Sequence, residues 1–544
     1  MRRLIIGHMR PQYIIAFTIA IFGYGCLKAQ SMLPLIRATE KTVNIKDGTV
    51  FQKSIWTLSP DIRPDVYNVL ESDAENKITF YTDIDSISFV VKPGESYDFL
   101  IILNDTDTCY TQIRSIQKET IHVKQISPTE LQNDFTLLRE ALQREHAGLY
   151  RYISEEDFTH TSDSLLQALN QPMDQFKFGA IVRFYLASIK DGHTGTSLAG
   201  DLMQHYSQHV KMFPFQPLFI GNKAYAACGG LDELQPETEL LSIDGMNVND
   251  IREQLFRYLS GDGRTESKKY WVLNRDAFPY LYSWVFGEKS EHAIKFKTKA
   301  GDVKTMSLAA KYLEEPCTPL AIPHNTKQLR LEYESKLAVL TISTFSSEKL
   351  RQTNESLVQF LDSTFRQLKA NKTTTLIIDL RHNSGGDDKN GALLYSYLTS
   401  KPFKYFESIE TTRKKLTTTE HPGLGIQEPA ETNFNGKVIF IINGLCFSTT
   451  ADFCAIAKSN KRGKFVGEET GGAYQGNTSG ETFRMTLPNS NINISIPTHM
   501  YRNAVTKQKY SDRGIIPDYI VIPRIDDVIA GKDVQLDYAL KLGK

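Results

Sequence analysis

The 544-residue chain lacks most of the features that settle a protein's class at a glance. It has six cysteines, none in C-x-x-C spacing, which are too scattered for a disulfide frame or a zinc cluster. It has no excess of either charge, with 63 Lys+Arg against 63 Asp+Glu. No basic surplus points to nucleic acid, and no block of like charge marks a tail. There is no internal repeat, so a solenoid or propeller is not expected. The 34 glycines and 21 prolines show no period, which excludes a collagen-like chain. There is no H-E-x-x-H, no clustered Cys/His set and no Walker-type loop, so neither a metal nor a nucleotide cofactor is implied. The apolar residues that are present, 41% of the chain with 10% aromatic, suffice for packed cores. At roughly 150 residues per domain, the length suggests three to four domains.

The first thirty residues read as an export signal. Arg2, Arg3 and Arg10 form a positive front, and an uncharged stretch follows from Pro11 to Leu27. That stretch is short for a spanning helix, which needs about 20 apolar residues. Ala29 before Gln30 suits cleavage, although Leu27 is larger than the small residue preferred there. A lipid anchor at Cys26 is the alternative, and the preceding Gly-Tyr-Gly fits a lipidation box poorly. No second hydrophobic run follows, so the mature chain is expected to lack a membrane span and to be periplasmic or extracellular. Loss of residues 1–29 removes four basic residues and no acid, leaving a net charge of −4. The five remaining cysteines read as small buried hydrophobes.

The pattern along the chain divides it into four further segments, an α+β multidomain organisation. Residues 30–126 are rich in short strands such as Lys77–Tyr81, as in a β-sandwich. In 127–211 the period turns helical. Ser127-Pro-Thr-Glu130 is a capping box with proline at the first helical position, and Leu131, Phe135, Leu138 and Leu142 follow on one face. Residues 212–325 return to strands, with a helix from Asp250, an order that suits a PDZ-like module binding extended peptide at a strand edge. Its Gly229-Gly230 stretch is a weak carboxylate-binding loop, and Leu259–Phe278 reads as an added lid or spacer. Residues 326–544 alternate strands such as Leu376–Leu380 and Lys437–Ile442 with helices such as Thr449–Ser459. Strands apolar on both faces imply an α/β layer.

Two turns in the last segment follow buried strands, where α/β folds place ligands. In Asp379-Leu-Arg-His-Asn-Ser-Gly385-Gly386, the paired glycines allow a sharp turn that could present N–H groups to an oxyanion. A plain strand-to-helix turn with a surface ion pair is the structural alternative. In Asn443-Gly-Leu-Cys-Phe-Ser448-Thr449, a serine opens a helix beside the free Thr449 N–H. Its ordinary role there would be an N-cap. Cys446 is a rival nucleophile. A serine nucleophile needs a base. His193, after a helix in Asp191-Gly-His-Thr, is the first candidate, with His382 and His146 as competitors. His193 could equally be a histidine interacting with a helix C-terminus.

These motifs, with Val466-Gly-Glu-Glu-Thr-Gly-Gly and Arg513-Gly-Ile-Ile-Pro-Asp518, resemble the tail-specific, or C-terminal processing, serine peptidases. Among them they are most similar to the branch of the tricorn protease core. The resemblance covers about residues 127–540. It implies a Clp protease/crotonase-like catalytic domain, a peptide or protein substrate and no cofactor. It implies Ser448 as nucleophile and His193 as base, because no lysine stands about 25 residues after the serine. It places the oxyanion hole at Gly385 or Gly386 with Thr449, and substrate contacts at Phe447, Gly471 and Gly472. This branch orients its histidine with a hydroxyl residue just before it and a glutamate near the C-terminal motif. Here Gly192 precedes the histidine, so the orienting role falls to Asp512 or, second, Asp191. Two other readings share the scaffold: a binding protein without catalysis, and a hydrolase of non-peptide esters.

Overall fold

The computed structural model describes the backbone of seven strands within residues 1–122 and, beyond them, residues 123–544 apart from 199, 228–233, 313–326, 509 and 511. Residues from 123 on form the second of two units, Val123–Lys544. Cys26, the cleavage site at Ala29 and Gly229-Gly230 lie outside the described residues. Of the β-sandwich expected at 30–126, the structure describes Lys77–Tyr81 paired antiparallel with Ser86–Val90, Ser96–Leu103 antiparallel with Asp107–Gln117, and Asn68–Ser72 parallel with Asp107–Gln117. Among the described residues no helix is long and apolar enough to cross a membrane.

The capping box forms as the spacing predicts. Ser127 and Glu130 bond reciprocally at the start of the helix Pro128–Glu145, which buries Leu131, Phe135, Leu138 and Leu142. Helices Glu155–Ala168 and Gln175–Ser188 complete this layer. Its core is not made by the helices alone. Leu487, Ile492, Ile494 and Ile496, at the turn and second strand of the hairpin Thr478–Thr486/Asn493–Asn503, fill it from 300 residues further on (roughly, by sequence separation). Asp134 anchors the hairpin turn by accepting from the Ser490 N–H and hydroxyl. The segment read as a helical domain therefore shares its core with the last segment. The short strand Gly195–Ser197, just past His193, pairs antiparallel with Asn493–Ser495. That pairing carries the histidine loop onto the α/β half.

The middle segment is a sheet of strands Leu218–Ile220, Lys223–Tyr225, Glu239–Ile243, Glu291–Lys297 and Val303–Ala309, in that spatial order, with the helix Val248–Phe256 against it. The stretch read as an elaboration is helical: Ser267–Val272, a π-helical turn at Leu273–Ala277, then Phe278–Phe286.

The last segment holds the main sheet. Leu329–Glu334, Leu337–Ile342, Thr375–Asp379, Lys437–Ile442, Lys464–Gly467 and Tyr519–Ile520 follow one another in space as in sequence. The first pair is antiparallel and the rest are parallel. Thr375–Asp379 is buried throughout because helices cover both faces. Leu357–Ala370, Asp388–Ser396 and Thr449–Ser459 pack on one face, and Val534–Gly543 on the other. Arg381 ties the end of the central strand to that last helix, bonding Asp379 and its N-cap Asp533. The ion pair expected at this turn is half-buried and joins two elements.

Candidate active site

Both glycine-serine turns leave the C-terminal ends of adjacent parallel strands, Thr375–Asp379 and Lys437–Ile442, and the fold binds them together. The Phe447 N–H donates to the Asn383 carbonyl at 3.3 Å. The Thr449 hydroxyl donates to the Gly386 carbonyl at 2.7 Å. Gly385 lies so close that a Cβ there would fall 2.8 Å from the Ser448 Cβ and 3.1 Å from the Thr449 nitrogen. This glycine is required by close approach as well as by its φ of +103°.

Ser448 occupies the N-cap position of the helix Thr449–Ser459, but its hydroxyl makes no cap hydrogen bond. Its backbone sits at φ 55°, ψ −130°, a sparsely populated conformation that costs about 1–3 kcal/mol. An N-cap serine takes an extended backbone and bonds the helix N–H groups. Ser448 does neither, so the ordinary structural role is not the one it fills. Its side chain is half-buried, and the Thr449 N–H beside it makes no hydrogen bond among the described residues.

Of the two glycines offered for the oxyanion hole, only one has a free N–H among the described residues. The Gly385 N–H is already donated to the Asn383 side chain at 2.9 Å. The Gly386 N–H, like that of Thr449, makes no hydrogen bond among the described residues. The available donors are therefore Gly386 and Thr449, and Gly385 serves by close packing.

Phe447, Gly471 and Gly472 sit differently from the substrate contacts the resemblance implies. Phe447 is only 9% exposed, packed against His193 and Lys268. The Gly471 and Gly472 N–H groups both donate to the Cys446 carbonyl, and Gly472 packs against the Ser448 nitrogen. All three hold the serine turn in shape. Cys446 is no competitor: its thiol donates to the Leu380 carbonyl at 3.0 Å, and burial pushes its pKa far above the usual thiol range.

His193 is brought to this turn, with its ring stacked on Phe447 at 4.3 Å between centroids. No hydrogen bond joins it to Ser448 in this structure, and its Nδ1 is buried without a partner. Burial, with Lys268 assisting and Asp191 opposing, depresses its pKa to about 4, so the ring is neutral at pH 7.

Neither expected orienting acid reaches that ring by a hydrogen bond. Asp512 is engaged elsewhere, its carboxylate bidentate on Arg264 and partly exposed. Asp191 is fully buried beneath the loop. Its Oδ1 accepts from the His193 N–H, the Thr194 N–H and the Thr194 hydroxyl. His146 closes that network. Its Nδ1 accepts from the Gly148 N–H at 3.1 Å, which leaves Nε2 to donate to the Thr194 hydroxyl at 2.8 Å. His146 thus supports the loop from below. His382 stands edge-on to Trp271 and in contact with Asn443, at the wall of a cavity of about 980 Å³.

Two residues with no motif around them complete the site. Asp262 is fully buried and accepts from the Gly192 N–H at 2.7 Å and the Ala473 N–H at 3.2 Å. Lys268 donates to the Gly192 carbonyl at 2.8 Å, with its ammonium 3.5 Å from the Phe447 ring centroid. They come from the stretch read as a lid or spacer. Nothing local could reveal them, because Lys268 and Gly192 are 76 positions apart.

The glutamate and arginine motifs near the C-terminus staple the sheet edge. Glu469 accepts from Arg513 and the Gly514 N–H, and Asp518 accepts from the Phe465 N–H.

A half-buried, uncapped serine on a strained strand-to-helix turn, with free N–H groups beside it, defines a serine hydrolase. Residues 336–521 match the model of peptidase family S41, so this segment of the chain is a serine peptidase domain of that type. Among curated proteins none matches the chain. The structure of mature CPAF complexed with lactacystin is similar at a TM-score of 0.55 and 15% identity, over 77% of this chain and 98% of that one. Mature CPAF alone gives 0.53 and 15%, over 77% and 97%. At this identity the likeness is one of fold.

Proposed function

We propose that this is an exported serine endopeptidase of the tricorn-like Ser/His type, cleaving peptides or unfolded protein segments. The observation that carries the reading is Ser448 itself: a strained serine whose hydroxyl leaves the helix N-terminus uncapped, beside the Thr449 N–H. In this reading neutral His193 takes the Ser448 proton as the oxygen attacks the scissile carbonyl. The Gly386 and Thr449 N–H groups receive the oxyanion. The histidine then passes its proton to the leaving amine, and water repeats the sequence on the acyl-enzyme. A modest closure is required, since the ring is stacked on Phe447 with no bond to the serine; catalytic hydrogen bonds often tighten only with substrate bound.

The cavity beside the turn supports a polymeric substrate. Its wall includes Phe219, Trp271, His382, Ser384 and Leu445, so it runs from the middle sheet to the glycine turn. The middle segment is proposed to be a PDZ-like module. Its edge strand Leu218–Ile220 is not free to accept a peptide at Phe219, because the Asn274 side chain holds both the N–H and the carbonyl of that residue. The peptide path favoured here is the cavity. Export rests on the leader sequence alone.

The test is labelling by a serine-directed fluorophosphonate, with cleavage of a denatured protein as a second readout. Wild type is expected to label and cleave, and Ser448→Ala and His193→Ala to do neither. No labelling at Ser448 would sink the reading. Labelling with no cleavage of any denatured protein would favour ester hydrolysis instead.

A further inference from the structure

We propose that Asp262 and Lys268 are positioning residues for His193, setting the histidine's place by gripping the peptide group on either side of Gly192. This rests on Ser448 and His193 acting as proposed above.

The histidine ring has no hydrogen-bonded partner at Nδ1, the nitrogen through which such rings are usually oriented. Its position must then come from the backbone that carries it and the surface it lies on. Both Gly192 backbone groups are held, the N–H by Asp262 and the carbonyl by Lys268. The same two side chains also reach the nucleophile's surroundings. Asp262 holds the Ala473 N–H, next to Gly472, which packs on the Ser448 nitrogen. Lys268 lies over the ring of Phe447, on which His193 is stacked. One acid and one base therefore tie the histidine loop to both sides of the serine turn.

The space at residue 192 is consistent with this. A Cβ on Gly192 would fall 2.7 Å from the Phe447 ring and 2.8 Å from Asp262 Oδ1. The volume where a side chain on the preceding residue would stand is filled by the clamp. Burying an acid and an ammonium is costly unless their polar atoms are engaged. Here they are engaged through the Gly192 peptide groups, with no direct ion pair between the two.

The electrostatics give a readout that mere packing would not. Lys268 depresses the His193 pKa, and Asp191 opposes it. His146 and Thr194 face Asp191 from beneath. Tyr152 lies nearby as a neutral phenol, and Asp512 on the outer side is paired with Arg264. Removing the Lys268 charge should raise the His193 pKa, so that the histidine is protonated at higher pH. The acid limb of activity then moves to higher pH.

The experiment compares wild type, Lys268→Met, Asp262→Asn and Ser448→Ala. It measures kcat and KM on an unfolded protein, the rate of fluorophosphonate labelling from roughly pH 3 to pH 8, which brackets the lowered values of about 4 for His193 and about 8 for buried Lys268, and thermal unfolding. Lys268→Met is expected to fold, to lose about 10- to 100-fold in kcat and labelling rate, and to keep KM within about twofold. Its acid limb should move up. Asp262→Asn keeps the shape but offers an amide where the Ala473 N–H needs an acceptor, and should also lose kcat with KM held. If folded Lys268→Met has wild-type kcat and an unmoved limb, the inference is overturned. Should that variant not fold, an unchanged kcat in Asp262→Asn overturns it. Failure of wild type itself to label at Ser448 would instead remove the underlying reading.

Discussion

His193 lies ring to ring on Phe447, the residue immediately before Ser448, with planes 29° apart. Two positions 254 apart in sequence (447 − 193) are thus packed side chain to side chain. The contact places the candidate base by stacking, where the family resemblance implies an orienting acid, and several consequences can be measured.

The first concerns pH. Burial is the main cause of the low His193 pKa, about 4. A general base works only when neutral, so the limb set by His193 should lie near pH 4, below any partial loss from Asp262, whose carboxyl burial raises to about 6. In Asp262→Asn, where that carboxyl is gone, a limb near the ordinary histidine value of about 6.5 would contradict this environment.

Nucleophile identity separates Ser448 from its neighbour two positions back. Ser448→Ala should reduce kcat by about 10⁴-fold or more. Cys446→Ala removes a buried thiol bonded to the Leu380 carbonyl, so it should cost about 1 kcal/mol of stability and keep turnover. Urea unfolding and steady-state kinetics on both variants check the pair.

Asp512 is paired with Arg264 near the surface, and such pairs contribute about 0–1 kcal/mol. Asp512→Ala should therefore leave kcat within about threefold of wild type, a change of less than about 1 kcal/mol. A loss of about a hundredfold would mean that the acid reaches the histidine during turnover.

Gly386 sits at φ +145°, where a Cβ would fall 2.1 Å from the Ser346 nitrogen, a backbone atom that cannot swing aside. Gly386→Ala should destabilise by more than about 3 kcal/mol and displace an oxyanion donor. A lower Tm together with slower fluorophosphonate labelling is the expected result.

Asn274 holds the outward N–H and carbonyl of Phe219 from within a π-helical turn. Asn274→Ala leaves both without partners and should cost about 2–4 kcal/mol in urea unfolding. If the variant binds extended peptides more tightly than wild type, by fluorescence anisotropy, the edge strand is a peptide site that Asn274 covers.

Much of the fold was legible along the chain. The strands Leu337–Ile342 and Lys437–Ile442 and the helix Thr449–Ser459 stand where their apolar pattern places them, because local period and burial agree there. The capping box at Ser127 is legible for the same reason, being complete within four residues. The helix that follows Asn354 begins only at Leu357, since Asn354 adopts φ 55° and Ser356 supplies the cap. Ser448 and His193 could be picked out by motif. Their supports could not, because Asp262 and Lys268 act through single long-range hydrogen bonds that leave no period or spacing.

The sequence by itself determined the elements, the two turns at the strand ends and the serine that opens a helix, since each depends on neighbours a few residues away. Tertiary structure alone decided which N–H groups remain free, which acid is engaged elsewhere, and what holds His193. Those choices are made by contacts between distant segments competing for the same hydrogen bonds. Gly385 gives its N–H to Asn383, Asp512 turns to Arg264, and an added helical stretch brings a lysine to the loop of the histidine.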